Sequence, residues 1–341
     1  MLEIDGSAGE GGGQMLRTSL ALSLVTRRPF RMTRIRAARQ RPGLQRQHLT
    51  AVQAAATIGR ADVRGAELGS NELTFVPGAA TPGEYHFAIG TAGSACLVLQ
   101  TVLPPLLRAA APSRLTLTGG THNQQAPPFD FLARTFAPVV NRLGPSIDVH
   151  LVRPGFYPVG GGELVAAIVP AETWRRLELL ERGELRRKRA RALVARLSPE
   201  IARRELREVQ RQLGWSEAEL IVEEVRDSLG PGNVIMLELE FAHITEVLTG
   251  FGARGVPAEA VAKSAIEQAQ RYLGVDAPVG LHLADQLLLP LALAGGGTFR
   301  TLELSLHART NLEVIRRFLE VEIQTHREPS GGSRVTVSGR A

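Results

Sequence analysis

The chain has 341 residues, 44% hydrophobic and 22% charged, which is typical of a globular protein with room for about two domains. This balance excludes a disordered or fibrous chain. The net charge is +6 at pH 7, yet only two of the 40 basic residues, Lys188 and Lys263, are lysines. The Gly-Lys-Ser/Thr string of a P-loop does not occur. If the protein handles phosphates, it would do so with arginine, backbone amides and histidine.

The first predicted elements are a glycine-rich loop, a helix and a strand. The loop Asp5–Gln14 runs straight into a helical stretch, and the strand-like segment Phe30–Arg36 follows. Glycines at a helix N-terminus let backbone N–H groups approach an anion closely, so the loop is a candidate phosphate site, with a structural turn as the alternative. Glu10 lies in this loop, and its carboxylate suits a divalent cation that also binds phosphate oxygens.

A polar loop follows the first strand. From Arg36 to His48 it contains four arginines, three glutamines and a histidine, with few apolar side chains. Arginine forks bind phosphate oxygens in pairs. The loop therefore predicts a cradle for a phosphate or an RNA end, which Arg17 of the preceding helix could join. An exposed surface loop is the alternative.

Helical stretches that contain a glutamine recur along the chain. Gln14 begins the first, Gln100 lies in the second and Gln286 in the third, and a strand-like segment follows each. Each unit then continues with a polar loop, a second helix and a strand pair. The pattern predicts an α+β fold built from three repeated β-α-β-α-β-β units.

The third unit contains extra residues before its helix. The strand-like segment Arg176–Leu180 belongs to that unit, and the excess follows it. We therefore predict a smaller inserted α/β domain over 182–277. The three-repeat catalytic domain is expected over 1–181 and 278–341.

The insert is expected to mix helices and strands. Arg186–Leu213 is dense in arginine, with apolar residues at helical spacing. Strands are predicted over Leu220–Val225 and Val234–Phe241, and a helix over Ala258–Tyr272. The arginine run is either a solvated helix face or an RNA-contact face, and the solvated face is the simpler reading.

Histidine is the plausible nucleophile toward phosphorus, because the chain has no usable lysine. His48, His122 and His307 lie in the polar loops, and His282 opens the third helix. Residue chemistry alone does not rank His307 above His48. The other four histidines are expected to be structural or surface residues: His86, His150 and His243 in strand-like stretches, and His326 near the C-terminus.

The sequence also bears on the cellular location. Cys96 is the single cysteine, which fits a reducing cytoplasm. The N-terminus is not a signal peptide, and the longest apolar run, Leu287–Gly295, is too short to span a membrane. The arginine excess indicates an anionic partner such as nucleic acid or nucleotide. Whether the chain forms a homo-oligomer is left open.

Taken together, several ordered strings resemble the RNA 3′-terminal phosphate cyclase family. They cover both arms of the three-unit domain, whereas in the insert only the short Gly230–Asn233 string looks similar. The matching strings are Gly9–Arg17, Arg41–Thr50, Phe87–Ser94, Leu97–Pro104, Gly155–Gly162, Leu283–Leu287 and Ser305–Asn311.

The resemblance implies an ATP-dependent ligase with three repeated units, as in enolpyruvyl-transferase-like folds. His307 would attack the α-phosphate of ATP and form a covalent histidine–AMP. The AMP would pass to an RNA 3′-phosphate to give an RNA-ppA end, and the ribose 2′-OH would close a 2′,3′-cyclic phosphate. ATP is then a substrate, Mg²⁺ or Mn²⁺ the expected divalent cation, and RNA with a 3′-terminal phosphate the partner.

The resemblance also implies roles for particular residues. His282 stands where a tyrosine is expected in relatives, which leaves the preference for ATP over GTP open. The metal would be held by Glu10. The nucleotide would be bound by Gln100, Pro127, His282, Leu283, Ala284, Asp285 and Gln286. The triphosphate or the RNA terminal phosphate would be bound by Arg17, Arg36, Arg39, Arg46, Gln47 and His48.

Other functions are weighed against this one. A non-catalytic RNA-binding relative from ribosome assembly would share the fold, but it should lack the His307 nucleophile. An enolpyruvyl-transferase-like enzyme would share the repeated units, but such enzymes normally rely on active-site lysines, which these loops lack.

Overall fold

A computed structural model describes residues 1–329 and 331–339, so Ser330 and the last two residues of the predicted 278–341 segment lie outside the described residues. Within them the chain is a mixed α+β protein, as predicted. Its strands are β1 (Leu2–Asp5), β2 (Phe30–Thr33), β3 (Asp62–Arg64), β4 (Leu73–Val76), β5 (Glu84–Ala88), β6 (Ser113–Gly119), β7 (Ser146–Arg153), β8 (Gly162–Val169), β9 (Leu177–Leu179), β10 (Leu185–Ala195), β11 (Leu220–Val225), β12 (Gly232–Phe241), β13 (Thr245–Phe251), β14 (Gly296–Thr301), β15 (Val321–Arg327) and β16 (Ser333–Gly339).

Most helices follow strands. A π-helical stretch, Leu132–Phe136, joins α4 to α5, and a short 3₁₀ turn covers Glu217–Glu219. The α-helices are α1 (Gly13–Thr26), α2 (Arg46–Gly59), α3 (Ala95–Leu106), α4 (Phe129–Phe131), α5 (Ala137–Asn141), α6 (Pro199–Leu213), α7 (Ala258–Leu273), α8 (Leu281–Leu293) and α9 (Leu306–Phe318).

The strands of residues 1–329 and 331–339 form four four-stranded sheets, with orders β1-β2-β4-β3, β5-β6-β8-β7, β9-β14-β16-β15 and β11-β10-β12-β13. In each of the first three sheets, the first strand pairs parallel with the second, and the other two pairings are antiparallel. The fourth sheet belongs to the segment between β9 and α8, where β10 pairs with both β11 and β12.

Helix α1 is the centre of the helical packing. It contacts α2, α3 and α9, and α8 contacts α9 in turn. Leucines on several sides of α1, among them Leu16, Leu20 and Leu22, are fully buried. A helix that is apolar nearly all round is stable only inside a protein, so the few polar residues near its N-terminal end are carried into the interior.

The prediction for Arg186–Leu213 was wrong in its first half, where the chain forms strand β10 before α6 begins. Arg187, Arg189 and Arg191 lie at alternate positions of β10, so they share one face. Arg187 and Arg189 bind Glu240 and Glu238 on β12. This cross-strand pairing outweighs the helical spacing of the apolar residues. The helix starts only after Ser198, whose hydroxyl caps it.

Other element predictions differ in smaller ways. The predicted strand Phe30–Arg36 ends at Thr33, and the segment around His243 forms a turn between β12 and β13 rather than a strand. Strand β13 was not anticipated at all. The insert strands and the helix after them, predicted over Leu220–Val225, Val234–Phe241 and Ala258–Tyr272, are confirmed.

A buried ion network joins the fourth sheet to the chain segment that follows Pro128. The Arg191 guanidinium lies 2.6 Å from Asp130 Oδ1 and 3.1 Å from Glu238 Oε1. Arg134 reaches the other Glu238 oxygen at 3.3 Å. Burial by itself would raise the pKa of Asp130, but His122 and Arg191 hold it below its ordinary value.

Replacing Arg191 by Gln should lower the free energy of unfolding by about 3 kcal/mol, because the buried carboxylates of Asp130 and Glu238 would lose the cation that they share. Denaturant unfolding monitored by circular dichroism measures this. Arg204→Gln, in an exposed pair with Glu259, is the matched control and should cost under about 1 kcal/mol. Equal losses of unfolding free energy in the two variants would contradict a stabilising role for the buried Arg191 network.

Candidate active site

A cleft of about 840 Å³ lies among the helices and is lined by residues from all parts of the chain. Gln14, Gln100 and Gln286, the glutamines of the three helical stretches, all line it. Strand β13 and helix α7 complete one wall. The predicted site residues that line the cleft are Glu10, Arg17, Arg36, Arg39, Gln47, His48, Gln100, Pro127, His282, Asp285, Gln286 and His307.

Three predicted site residues do not line the cleft. Leu283 and Ala284 are buried in the apolar core, on the side of α8 away from Asp285 and Gln286. Successive helical residues point about 100° apart, so the whole run from His282 to Gln286 cannot face one cavity. Arg46 is exposed at the start of α2.

His307 lies in the first turn of α9, facing the start of α1. Ser305 caps the helix by accepting a hydrogen bond from the backbone N–H of Ala308 at 3.1 Å. The His307 Nδ1 atom is 3.0 Å from Gln14 Oε1 and 3.2 Å from Glu10 Oε2. Two oxygen acceptors favour the tautomer that carries its proton on Nδ1, which leaves the Nε2 lone pair available as a nucleophile.

Several residues hold this arrangement and were not predicted as site residues. Gln14 donates to Asp285, and Thr18 donates to Asn311 Oδ1 at 2.8 Å. The Asn311 side-chain amide donates to the Asp285 backbone carbonyl at 2.9 Å, and Thr310 Oγ1 accepts from the Glu10 backbone N–H at 3.0 Å. Gln14 and Asn311 lie in strings that resemble the family, so the resemblance was the sequence signal that could have identified them as site residues.

The N-terminus of α1 is open to an anion. Gly9 and Gly11 have φ values of +58°, a left-handed conformation that favours glycine. Gly12 is the N-cap residue of α1 and has no side chain that could cap the helix. The first backbone N–H groups of α1 therefore receive no hydrogen bond from a capping side chain. A Cβ atom on Gly13 would lie 2.3 Å from His48 Nε2, so only glycine lets α2 pack this closely.

Positive charge is concentrated beside that helix end. Burial lowers the pKa of Arg17 to about 10, while Asp285 and Glu10 oppose the shift. Burial lowers the pKa of His48 to about 3, and the positive charges of Arg17, Arg36 and Arg39 contribute to this shift. His48 is therefore neutral at physiological pH, and the arginines supply the charge that would attract an anion.

Two further side chains connect the loops around this cluster. Arg39 forms an ion pair with Glu10. The Gln47 side-chain oxygen accepts a hydrogen bond of 2.7 Å from the Ser94 backbone N–H, at the start of α3. The polar loop is thus tied both to the glycine-rich loop and to the second helical stretch.

A divalent cation can be tested against Glu10. Apart from the 3.2 Å approach of His307 Nδ1, its buried Oε2 atom has no hydrogen-bond partner among the described residues, which leaves lone pairs for a cation. Among residues 1–329 and 331–339, no cluster of three or more His, Cys, Asp or Glu side chains could hold a metal ion. A single buried carboxylate is compatible with a cation such as Mg²⁺, which commonly binds one or two carboxylates together with phosphate oxygens and water.

The remaining candidate histidines separate by environment. His122 is buried, with Nδ1 2.9 Å from Thr121 Oγ1 and Nε2 3.0 Å from Asp130 Oδ2, so neither nitrogen faces the cleft as a nucleophile. His282 lines the cleft and is exposed. Of the loop histidines, only His307 combines exposure with an oriented ring.

A cleft with an oriented histidine, clustered arginines and a buried carboxylate defines a phosphate-handling enzyme. Residues 8–325 match the family described as RNA 3′-terminal phosphate cyclase. The chain therefore belongs to the RNA 3′-terminal phosphate cyclase family. The proteins of this name from Koribacter versatilis and Ralstonia nicotianae are 52% and 51% identical to it, over 340 and 328 residues. These alignments cover 100% and 96% of this chain, and 96% and 94% of the two relatives.

No helix formed by residues 1–329 and 331–339 has the length and apolar character needed to cross a membrane.

The low pKa of His48 predicts a dependence of stability on pH. The unfolded chain would protonate this imidazole near pH 6.5, and the folded chain only near pH 3, so the unfolded state binds more protons between these values. The free energy of unfolding should fall as the pH is lowered through this window, by up to about 1.4 kcal/mol per pH unit from this group.

The check is chemical denaturation at a series of pH values. His48→Gln should show a shallower loss of stability below pH 6.5 than wild type. His86→Gln, at an exposed histidine, should follow the wild-type curve. A His48→Gln curve parallel to wild type would refute the assignment.

Proposed function

We propose that the chain converts an RNA 3′-terminal phosphate into a 2′,3′-cyclic phosphate at the expense of ATP, through a covalent intermediate on His307. The observation that supports this most directly is the His307 ring, held through Nδ1 by Gln14 and Glu10 at the edge of an arginine-rich cleft. Membership of the family and the relatives' name support the reaction class.

In the first step His307 Nε2 attacks the α-phosphorus of ATP. The N–P bond forms, the bond from the α-phosphorus to the bridging oxygen breaks, and pyrophosphate leaves. The imidazole keeps its Nδ1 proton and becomes positively charged. Glu10 Oε2, 3.2 Å from Nδ1, is placed to stabilise that charge, and Gln14 accepts the Nδ1 hydrogen bond.

In the second step an oxygen of the RNA 3′-phosphate attacks the adenylyl phosphorus, and neutral His307 leaves. The product is an RNA-ppA end. The ribose 2′-OH then attacks the terminal RNA phosphorus and loses its proton to solvent, AMP departs, and the cyclic phosphate closes. Adenylation is needed because a phosphate monoester has no good leaving group of its own.

The cleft divides into two regions in this proposal. Arg17, Arg36 and Arg39 bind phosphate oxygens together with Gln47 and neutral His48, and exposed Arg46 serves RNA approaching from outside. The nucleoside region contains Gln100, Pro127, His282, Asp285 and Gln286. Leu283 and Ala284 support that region from the core rather than touching the nucleotide.

Glu10 is the proposed ligand of Mg²⁺ or Mn²⁺. When bound, such a cation offsets phosphate charge and polarises the phosphorus–oxygen bonds. Arg39 holds one oxygen of the Glu10 carboxylate, which leaves the buried Oε2 oxygen as the ligand atom. The same carboxylate would therefore face both the cation and His307.

We also propose that the first three sheets are copies of one unit and that 182–277 is an inserted domain. Their identical strand orders and directions support the repeat, because each reads β-α-β-α-β-β along the chain. The fourth sheet, with α6 and α7, lies wholly between β9 and α8. A cytoplasmic location accords with the buried free thiol of Cys96.

Incubation with α-³²P-labelled ATP and Mg²⁺ or Mn²⁺ should label the protein with an acid-labile, base-stable AMP adduct. His307→Ala should reduce the adduct at least 100-fold, because no other group replaces the nucleophile. Peptide mapping locates the label. His326→Ala, at an exposed histidine in β15, is the control and should retain full labelling.

An undiminished adduct in His307→Ala would overturn the mechanism. No adduct in wild type would instead favour the non-catalytic RNA-binding relative.

Glu10→Gln should raise the Mg²⁺ concentration needed for half-maximal adenylation by roughly tenfold, because an amide binds a hard cation less well than a carboxylate. Adduct formation across a magnesium titration measures this. Glu303→Gln, at an exposed carboxylate on the α9 side of the molecule, should leave the titration unchanged. An unaltered titration for Glu10→Gln would remove the proposed metal role.

A further inference from the structure

One aromatic side chain is exposed among residues 1–329 and 331–339. Tyr157 has 75% of its surface exposed, whereas Tyr272 is buried and Tyr85 is partly buried. Val159 and Leu229 are also half exposed, at 48% and 51%. We call Tyr157, Val159 and Leu229 the Tyr157 patch.

The patch lies where two chain segments meet. A Cβ atom built on Gly161 would lie 2.5 Å from Leu229, and one on Gly230 would lie 2.6 Å from Val159. The segment that ends at Gly162 therefore packs against the one around Gly230, and Tyr157 precedes Val159 by two residues in the same turn. Single exposed apolar residues are ordinary, whereas several in neighbouring positions suit a binding surface.

The Tyr157 patch lies beside the rim of the cleft. His122 and Phe156 form a parallel bridge, so the two segments leave the bridge in the same direction, about 5 Å apart. The residue after His122 is Asn123, which lines the cleft together with the exposed Gln124. The residue after Phe156 is Tyr157.

The segment that carries Tyr157 is firmly anchored. Phe156 is buried and stacks on the His122 ring, with centroids 5.4 Å apart. The Gly160 backbone N–H donates to the Phe156 carbonyl at 2.7 Å, and Arg153 donates to the Gly161 carbonyl at 2.7 Å. An anchored loop has little conformational entropy to lose when a ligand binds.

We propose that Tyr157 is a stacking platform for a base of single-stranded RNA near the 3′-phosphorylated end. Bases stack on exposed aromatic rings largely without regard to sequence. Gln124, at the rim, offers amide groups to a base edge or the sugar. This inference rests on the proposed function, because it takes the 3′-phosphate to occupy the arginine-rich part of the same cleft.

The first experiment measures the dissociation constant of a fluorescein-labelled, 3′-phosphorylated eight-nucleotide RNA by fluorescence anisotropy. Tyr157→Ala should weaken binding about tenfold, and Tyr157→Phe should keep the wild-type affinity because its ring still stacks. Val256→Ala, at an exposed residue of the insert, is the control. Equal affinities of wild type and Tyr157→Ala would overturn the proposal.

A second experiment identifies the stacked base with RNAs that carry one abasic nucleotide at each of the last four positions. At one position the abasic site should weaken binding to wild type as much as Tyr157→Ala does. The same abasic site should not weaken RNA binding to the Tyr157→Ala variant any further, because the ring and the base act as a pair. Additive losses at every position would contradict stacking. A second outcome would also contradict stacking: a wild-type dimer that Tyr157→Ala dissociates, with no change in RNA affinity. The patch would then be a self-association surface.

The protein–AMP adduct separates this proposal from the function on which it rests. All Tyr157 variants should form the adduct from ATP alone at the wild-type rate, because no RNA takes part in that step. An absent adduct in wild type counts against the proposed function, while the RNA affinities still decide the role of Tyr157.

Discussion

The contact of His307 Nδ1 with Gln14 and Glu10 joins the last helix of the chain to the first, and much of the site depends on it. It orients the ring, and it brings the buried Glu10 carboxylate to Nδ1, which would share the positive charge in the proposed attack by Nε2. The same junction is held by the Thr18–Asn311 hydrogen bond. Helices α1 and α9 must therefore pack correctly before the His307 ring has a defined direction.

The scarcity of lysine has a physical counterpart in the cleft. Burial lowers the pKa of Arg17 to about 10, which still leaves its guanidinium charged at neutral pH. A lysine begins about two units lower and would approach neutrality under the same burial. Arginine can therefore keep its positive charge inside a partly desolvated cleft, while His48, with its pKa lowered to about 3, remains an uncharged imidazole.

The segment between β9 and α8 takes part in the cleft. Strand β13 and helix α7 supply part of the wall, and the Arg191–Asp130 ion pair joins the fourth sheet to the start of α4. Asp130 also binds His122, whose ring stacks on Phe156. A series of buried contacts thus runs from the fourth sheet to the loop that carries Pro127.

The sequence alone determined the α+β class, the positions of most helices and twelve of the residues that line the cleft, because these follow from local periodicity, turn chemistry and recognisable strings. It could not separate His307 from His48 by residue chemistry, nor foresee that Leu283 and Ala284 face the core. It also misread the first half of Arg186–Leu213 as helix, because only the carboxylates of β12 make that segment a strand. Tertiary structure decided these points, since burial, tautomer and cross-strand pairing depend on neighbours distant in the chain.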